Sequence, residues 1–94
     1  MKFLAIEEEL LPIDAVVDAE LLREEARAVL RLHNEGLLRE IYFDDRHCAV
    51  LVLECADADE AGRVLDMLPL VREGRIRFSR TALHPYTGFN RLLD

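Results

Sequence analysis

The sequence predicts an α+β fold of the ferredoxin-like kind, with elements in the order β-α-β-β-α-β. Three observations carry that reading. Apolar residues recur at helical spacing in residues 18–34 and 57–68. Four shorter stretches between turn signals read as strands. The two kinds of stretch alternate in the order of a split β-α-β unit. At 94 residues and 51% hydrophobic, the chain is expected to form one domain, residues 1–94, with its own core.

Each element has its own local reason. Residues 2–8, KFLAIEE, read as the first strand. Residues 9–18, ELLPIDAVVD, form a connector with Pro12 as a breaker. The first helix is expected from Asp18, as N-cap, to Asn34, with Gly36 near its C-terminal cap. LLREIYF (37–43), the turn DDR (44–46) and HCAVLVLEC (47–55) read as a hairpin of the second and third strands. Asp57 and Glu60 fit an acidic capping box opening the second helix. Its stripe is Ala58, Ala61, Val64, Leu65 and Leu68, and Pro69 ends it. REG (72–74) turns the chain into the fourth strand, RIRFSRTAL (75–83). The tail, 84–94, is irregular, with room for a final turn of helix.

In this arrangement both helices cover one face of a four-stranded antiparallel sheet. Yet the third strand is apolar on both sides, with Ala49, Leu51 and Leu53 on one and Val50 and Val52 on the other. Such a strand needs cover on both faces. A second copy related by a two-fold axis supplies it, so a homodimer or an assembly of dimers is expected. An open apolar sheet would be prone to aggregation.

Composition excludes several function classes. A net charge of −7 argues against nucleic acid and against anionic membrane surfaces. No apolar run approaches the roughly 20 residues that span a bilayer. The start, MKFLAIEEELLP, is not a signal peptide, so a cytoplasmic protein is expected. Cys48 and Cys55 flank a strand on opposite faces, about 20 Å apart, and cannot bond to each other. Without a CxxC pair, and with three scattered histidines, no metal site is expected. No glycine-rich phosphate loop or nucleophile elbow is present. No cofactor is expected.

One residue stands out. On the first helix Leu21, Leu22, Val29 and Leu32 form an apolar stripe, and Glu25 falls near its centre. A carboxylate in apolar surroundings has a raised pKa and can serve as a general base or acid. The alternative is an ion pair or a side chain reaching for solvent. On strand alternation Leu38, Glu40 and Tyr42 share a face. If that face lines a pocket, Tyr42 can donate to an enolate oxygen and Glu40 can hold a proton; if not, both are surface residues. Arg39, on the other face with Leu37, Ile41 and Phe43, suits either a substrate carboxylate or Glu25 itself. His33, His47 and His84 can each shuttle a proton or serve structure. Arg75, Arg77 and Ser79 on one face, with Arg80 opposite, read as an anion-binding wall or as a solvated edge.

Several short motifs add a family likeness. MLPL at 67–70, a short acidic turn and a strand ending in His84–Pro85 resemble the muconolactone isomerase family. So do Glu35–Gly36 with Arg39 and an aromatic at 42, and Phe3 with Leu11–Pro12 near the start. HNEG at 33–36 is more distantly similar to the YciI-like small domains. The resemblance implies a dimeric α/β barrel and cofactor-free proton transfer, a double-bond isomerisation, on a small carbonyl or lactone acid. It matches Glu25 to a family glutamate. Where the family has Trp, His and Trp after the Glu-Gly pair, this chain has Leu38, Glu40 and Tyr42, and Leu4 replaces a first-strand histidine. The pocket is therefore lined differently. The expected catalytic set is Glu25, Tyr42, Glu40 and His33, and the substrate contacts are Arg39, Leu38, His47 and His84. Two other readings stay open: a non-catalytic small-ligand-binding or structural dimer, and a monooxygenase-like member of the same fold acting on aromatic compounds.

Overall fold

The computed structural model describes residues 1–93. Its elements are β1 (Lys2–Glu9), α1 (Ala19–Asn34), β2 (Leu38–Phe43), β3 (Ala49–Glu54), α2 (Ala58–Asp66), α3 (Pro69–Arg72) and β4 (Ile76–Leu83), followed by a 3-10 turn at Gly88–Leu92. The strands form one antiparallel sheet in the order β2-β3-β1-β4. This is the expected ferredoxin-like α+β architecture. Pro69 does more than end α2: it sits in the first turn of α3, where its missing N–H costs nothing.

Strand register decides which side chains meet the helices. Phe3 lies opposite Leu53 and Ala5 opposite Leu51, and all four are buried. With Leu38 they meet Leu32 of α1 and Ala61, Val64 and Leu65 of α2 in one core. The other face of the sheet carries Leu4, Ile6, Val50 and Val52, half-buried or exposed. The two-sided apolar character of β3 is therefore real, and among the described residues no helix covers one of its sides.

The helix ends follow their local chemistry, with one exception. Gly36 adopts φ +79°; its N–H donates to the His33 carbonyl and that of Leu37 to the Leu32 carbonyl, closing α1 as a Schellman motif. Asp57 caps α2 by accepting the Glu60 N–H at 2.8 Å, while Glu60 reaches back to the Ala56 N–H at 2.9 Å. Asp18 precedes α1 but makes no capping bond. Its carboxylate is taken by Arg75, which donates to both oxygens at 2.9 and 3.0 Å, and by the Asp14 N–H. A bidentate ion pair with two charged partners outweighs a single bond from a neutral main-chain N–H, and it holds the connector against the start of β4.

The β2–β3 hairpin corrects the expected face pattern. Leu38 lies opposite Leu53, but Glu40 lies opposite Val52, so one residue of β2 is extra at Arg39. This bulge reverses alternation. Leu38, Ile41 and Phe43 face the helices, while Glu40 and Tyr42 face the uncovered side. Leu38 therefore does not share a face with Glu40 and Tyr42.

The core fixes a stability expectation. Leu53 is fully buried between Phe3 and Leu38. Leu53→Ala should lower unfolding free energy by about 2–5 kcal/mol, read from the urea midpoint with an unchanged slope.

Candidate functional site

The face of α1 that looks onto the sheet carries Leu22, Glu25, Ala26, Val29, Leu30 and His33, at helical spacing. It does not close down everywhere. Between it and the sheet lies an open cavity of about 810 Å³, within the range of small-molecule sites. The floor comes from Leu38, Ile41, Phe43 and Ala49, and Leu70 of α3 contributes at one end. Glu7 and Glu9 of β1 line it, as do Arg46, His47 and Cys48 of the hairpin turn. Most of the lining is apolar, with a few convergent polar groups.

Glu25 reaches this cavity half-buried. Its Oε1 accepts the Leu70 N–H at 3.0 Å. Among the described residues it has no cationic partner, and it does not pair with Arg39. Burial pushes its carboxyl above the ordinary glutamate value; the Leu70 N–H opposes this and the charge of Glu7 adds to it.

The hairpin turn is built to present its side chains. Asp44 Oδ1 accepts the N–H groups of Arg46 and Cys48 at 2.8 and 2.9 Å. His47 takes φ +61°, a left-handed conformation that costs a residue with a Cβ about 1 kcal/mol or more. Its ring stacks on Phe43 with centroids 4.0 Å apart and 16° between planes, which holds both at the cavity. Arg46 forms no ion pair among the described residues.

The expected residues separate into two groups. Glu25, His33, Leu38 and His47 meet at the cavity. Glu40 and Tyr42 do not: the bulge turns them to the uncovered face, where the Tyr42 hydroxyl donates to Glu40 at 2.7 Å. That bond raises the phenol pKa, since a neighbouring carboxylate disfavours the phenolate. Arg39 donates from Nε to the Gly36 carbonyl at 2.9 Å and is not part of the lining. His84 lies beyond β4, exposed and outside the lining. The arginine wall is already neutralised: Arg75 pairs with Asp18 and Arg77 with Glu8, while Arg80 donates to the Ala58 carbonyl. Both cysteines are free. No cluster of side chains able to hold a metal ion occurs among the described residues, and among them no helix is long and apolar enough to cross a membrane.

The residues missed from sequence are Glu7, Glu9 and Arg46. A signal for the first two was present. Phe3 and Ala5 are core residues, and strand alternation continues their face to Glu7 and Glu9. Arg46 had none, because a turn residue's direction depends on the turn.

Solved structures share this backbone. Muconolactone isomerase superposes with a TM-score of 0.78 at 20% identity, covering 93% of this chain and 92% of its own. The chain has the muconolactone isomerase fold. The 5-chloro-2-hydroxyhydroquinone dehydrochlorinase of Burkholderia phenoliruptrix AC1100, solved with 2,5-dihydroxybenzoquinone, superposes with a TM-score of 0.69 at 14% identity, covering 94% of this chain and 98% of its own. No protein-family model matches the sequence, and no curated protein matches it. At these identities the likeness to the isomerase and the dehydrochlorinase is one of fold, and chemistry has to be argued from the cavity.

Glu25 makes stability depend on pH with a definite sign. Its folded-state pKa is above the unfolded value, so the native state binds the proton more tightly. This contribution is complete below the ordinary value of 4.5 and is lost as pH rises through the raised folded value. Glu25→Gln keeps the acceptor for Leu70 and should flatten this part of the profile. Urea midpoints measured from pH 4 to 8 should show wild type losing stability relative to the variant as pH rises.

Proposed function

We propose that the protein is an enzyme that transfers a proton on a small unsaturated carbonyl or lactone acid, as a muconolactone-isomerase-like double-bond isomerase. The observation that carries the proposal is Glu25: a half-buried carboxylate without a counter-cation among the described residues, facing an open, largely apolar cavity. A structural dimer would leave that space filled and Glu25 paired with Arg39; here the space is open and Arg39 is engaged elsewhere. The fold neighbours named for a lactone isomerase and a hydroquinone dehydrochlorinase agree with a ligand of that size.

In this reading Glu25 moves the proton next to the carbonyl. Tyr42 is not the oxyanion donor within one subunit, because it lies on the other face of the sheet. His33 and His47, both at the cavity, supply the hydrogen bond to the enolate oxygen. Arg46 takes the place expected for Arg39, as the cation available for the substrate carboxylate. No cofactor enters the scheme.

Self-association belongs to the same proposal. The uncovered sheet face presents Leu4, Ile6, Val50 and Val52, with Tyr42 at its edge. The tail adds Tyr86, Phe89, Leu92 and Leu93, all at least 70% exposed. A second copy, sheet against sheet, gives the dimeric α/β barrel and covers the first of these surfaces. Free thiols fit a cytoplasmic setting.

Incubation with muconolactone in heavy water, followed by NMR, tests the chemistry. Wild type should incorporate deuterium, Glu25→Gln should do so about 10²–10⁴-fold more slowly, and Arg46→Gln should chiefly raise KM. No incorporation with muconolactone or related unsaturated lactone acids would remove the isomerase reading. For assembly, sedimentation velocity should show a dimer or larger for wild type and a folded monomer for Ile6→Lys. A monomeric wild type at micromolar concentration would overturn the barrel.

A further inference from the structure

We propose that Glu7 and Glu25 act together across the cavity as the two proton carriers of the reaction. This rests on the proton-transfer reading above and names its second carrier.

The geometry comes from two different elements. Glu7 continues the face of β1 that carries Phe3 and Ala5, but stands where the cavity begins. The β1–β3 pairing ends at Ile6 opposite Val50. One step beyond, Glu7 Oε1 accepts the Ala49 N–H at 3.1 Å. Glu25 accepts the Leu70 N–H through its own Oε1. Each carboxyl is therefore held by one oxygen on a main-chain amide. The second oxygen of each has no hydrogen bond, and neither carboxyl is in an ion pair, among the described residues.

Two carboxylates facing one largely apolar cavity repel each other when both are charged. Burial raises the Glu25 pKa, the Leu70 N–H opposes this, and the charge of Glu7 adds to the rise. A second group reports the same field: the Cys48 thiol is pushed up, first by burial and then by Glu7. The other charged or titratable groups facing the cavity are Glu9, His33, Arg46 and His47.

A double-bond shift uses such a pair directly. The ionised carboxylate removes a proton from the γ-carbon of the conjugated carbonyl compound, leaving a dienolate. The protonated carboxyl delivers its proton to the carbon beside the carbonyl. One C–H bond breaks and one forms. One carboxyl has gained a proton and the other has lost one, and exchange with solvent through the open cavity resets both before the next turnover.

Glu7→Gln separates charge from structure, because the amide oxygen still accepts the Ala49 N–H. Side-chain carboxyl carbons of wild type and Glu7→Gln are titrated by ¹³C NMR, with Cys48 alkylation by iodoacetamide followed against pH. The Glu25 midpoint should fall in the variant, and Cys48 should react at lower pH. An unmoved Glu25 midpoint would overturn the pair. In the deuterium assay Glu7→Gln should slow exchange by about 10²-fold, and wild-type exchange rates in the variant would overturn Glu7 as a carrier. A Glu25 midpoint that moves, in a wild type that exchanges nothing, would uphold the coupling and fail the enzyme reading instead.

Discussion

The pairing of the two central strands governs the rest of this molecule. With Phe3 opposite Leu53 and Ala5 opposite Leu51, four buried side chains point to the helices. A slip of one residue would turn all of them to the uncovered face and bring Leu4, Ile6, Val50 and Val52 under the helices instead. The register also sets where the cavity starts. Continuing the same face past Ala5 brings Glu7 and Glu9, and the apolar floor gives way to carboxylates. Core and site are thus successive stretches of one strand face.

That arrangement makes the site costly in a specific way. A half-buried carboxylate without a cation loses solvation that one amide hydrogen bond only partly replaces. Among the described residues this protein has no fully buried charged side chain, and at the cavity Glu25 is half-buried. That cost falls on the ionised form and shows as a Glu25 pKa raised by burial. Surrounding elements are held by firmer contacts: the bidentate Arg75–Asp18 pair on the connector, the Asp57 cap on α2 and the glycine-closed end of α1. The strained His47 turn, by contrast, stands at the cavity rim and presents its side chains to it.

Legibility of the site followed the periodicity of each element. Glu25 was visible because an α-helix keeps its period over sixteen residues, so a carboxylate within an apolar stripe is conspicuous. His33 and His47 were visible as residue types, although only the folded chain brings them to the cavity. Glu40 and Tyr42 were misplaced because the period-two rule assumes an unbroken strand, and the extra residue at Arg39 breaks it. Glu7 and Glu9 were legible in principle from Phe3 and Ala5, but EEE reads first as a solvated charge run.

By itself, the sequence determined the order of the four strands and the two longer helices, the antiparallel ferredoxin-like sheet, the two apolar faces of β3 and the anomaly at Glu25, but not the short α3 that Pro69 opens. These are local: they depend on spacing within one segment, where backbone geometry dictates the period. Tertiary structure alone decided that Arg39 is a bulge, that Asp18 serves Arg75 rather than α1, and that the space beside Glu25 stays open. Each of those depends on a partner distant in the chain. The gain from a bidentate ion pair or a displaced strand register appears only once the two segments are side by side.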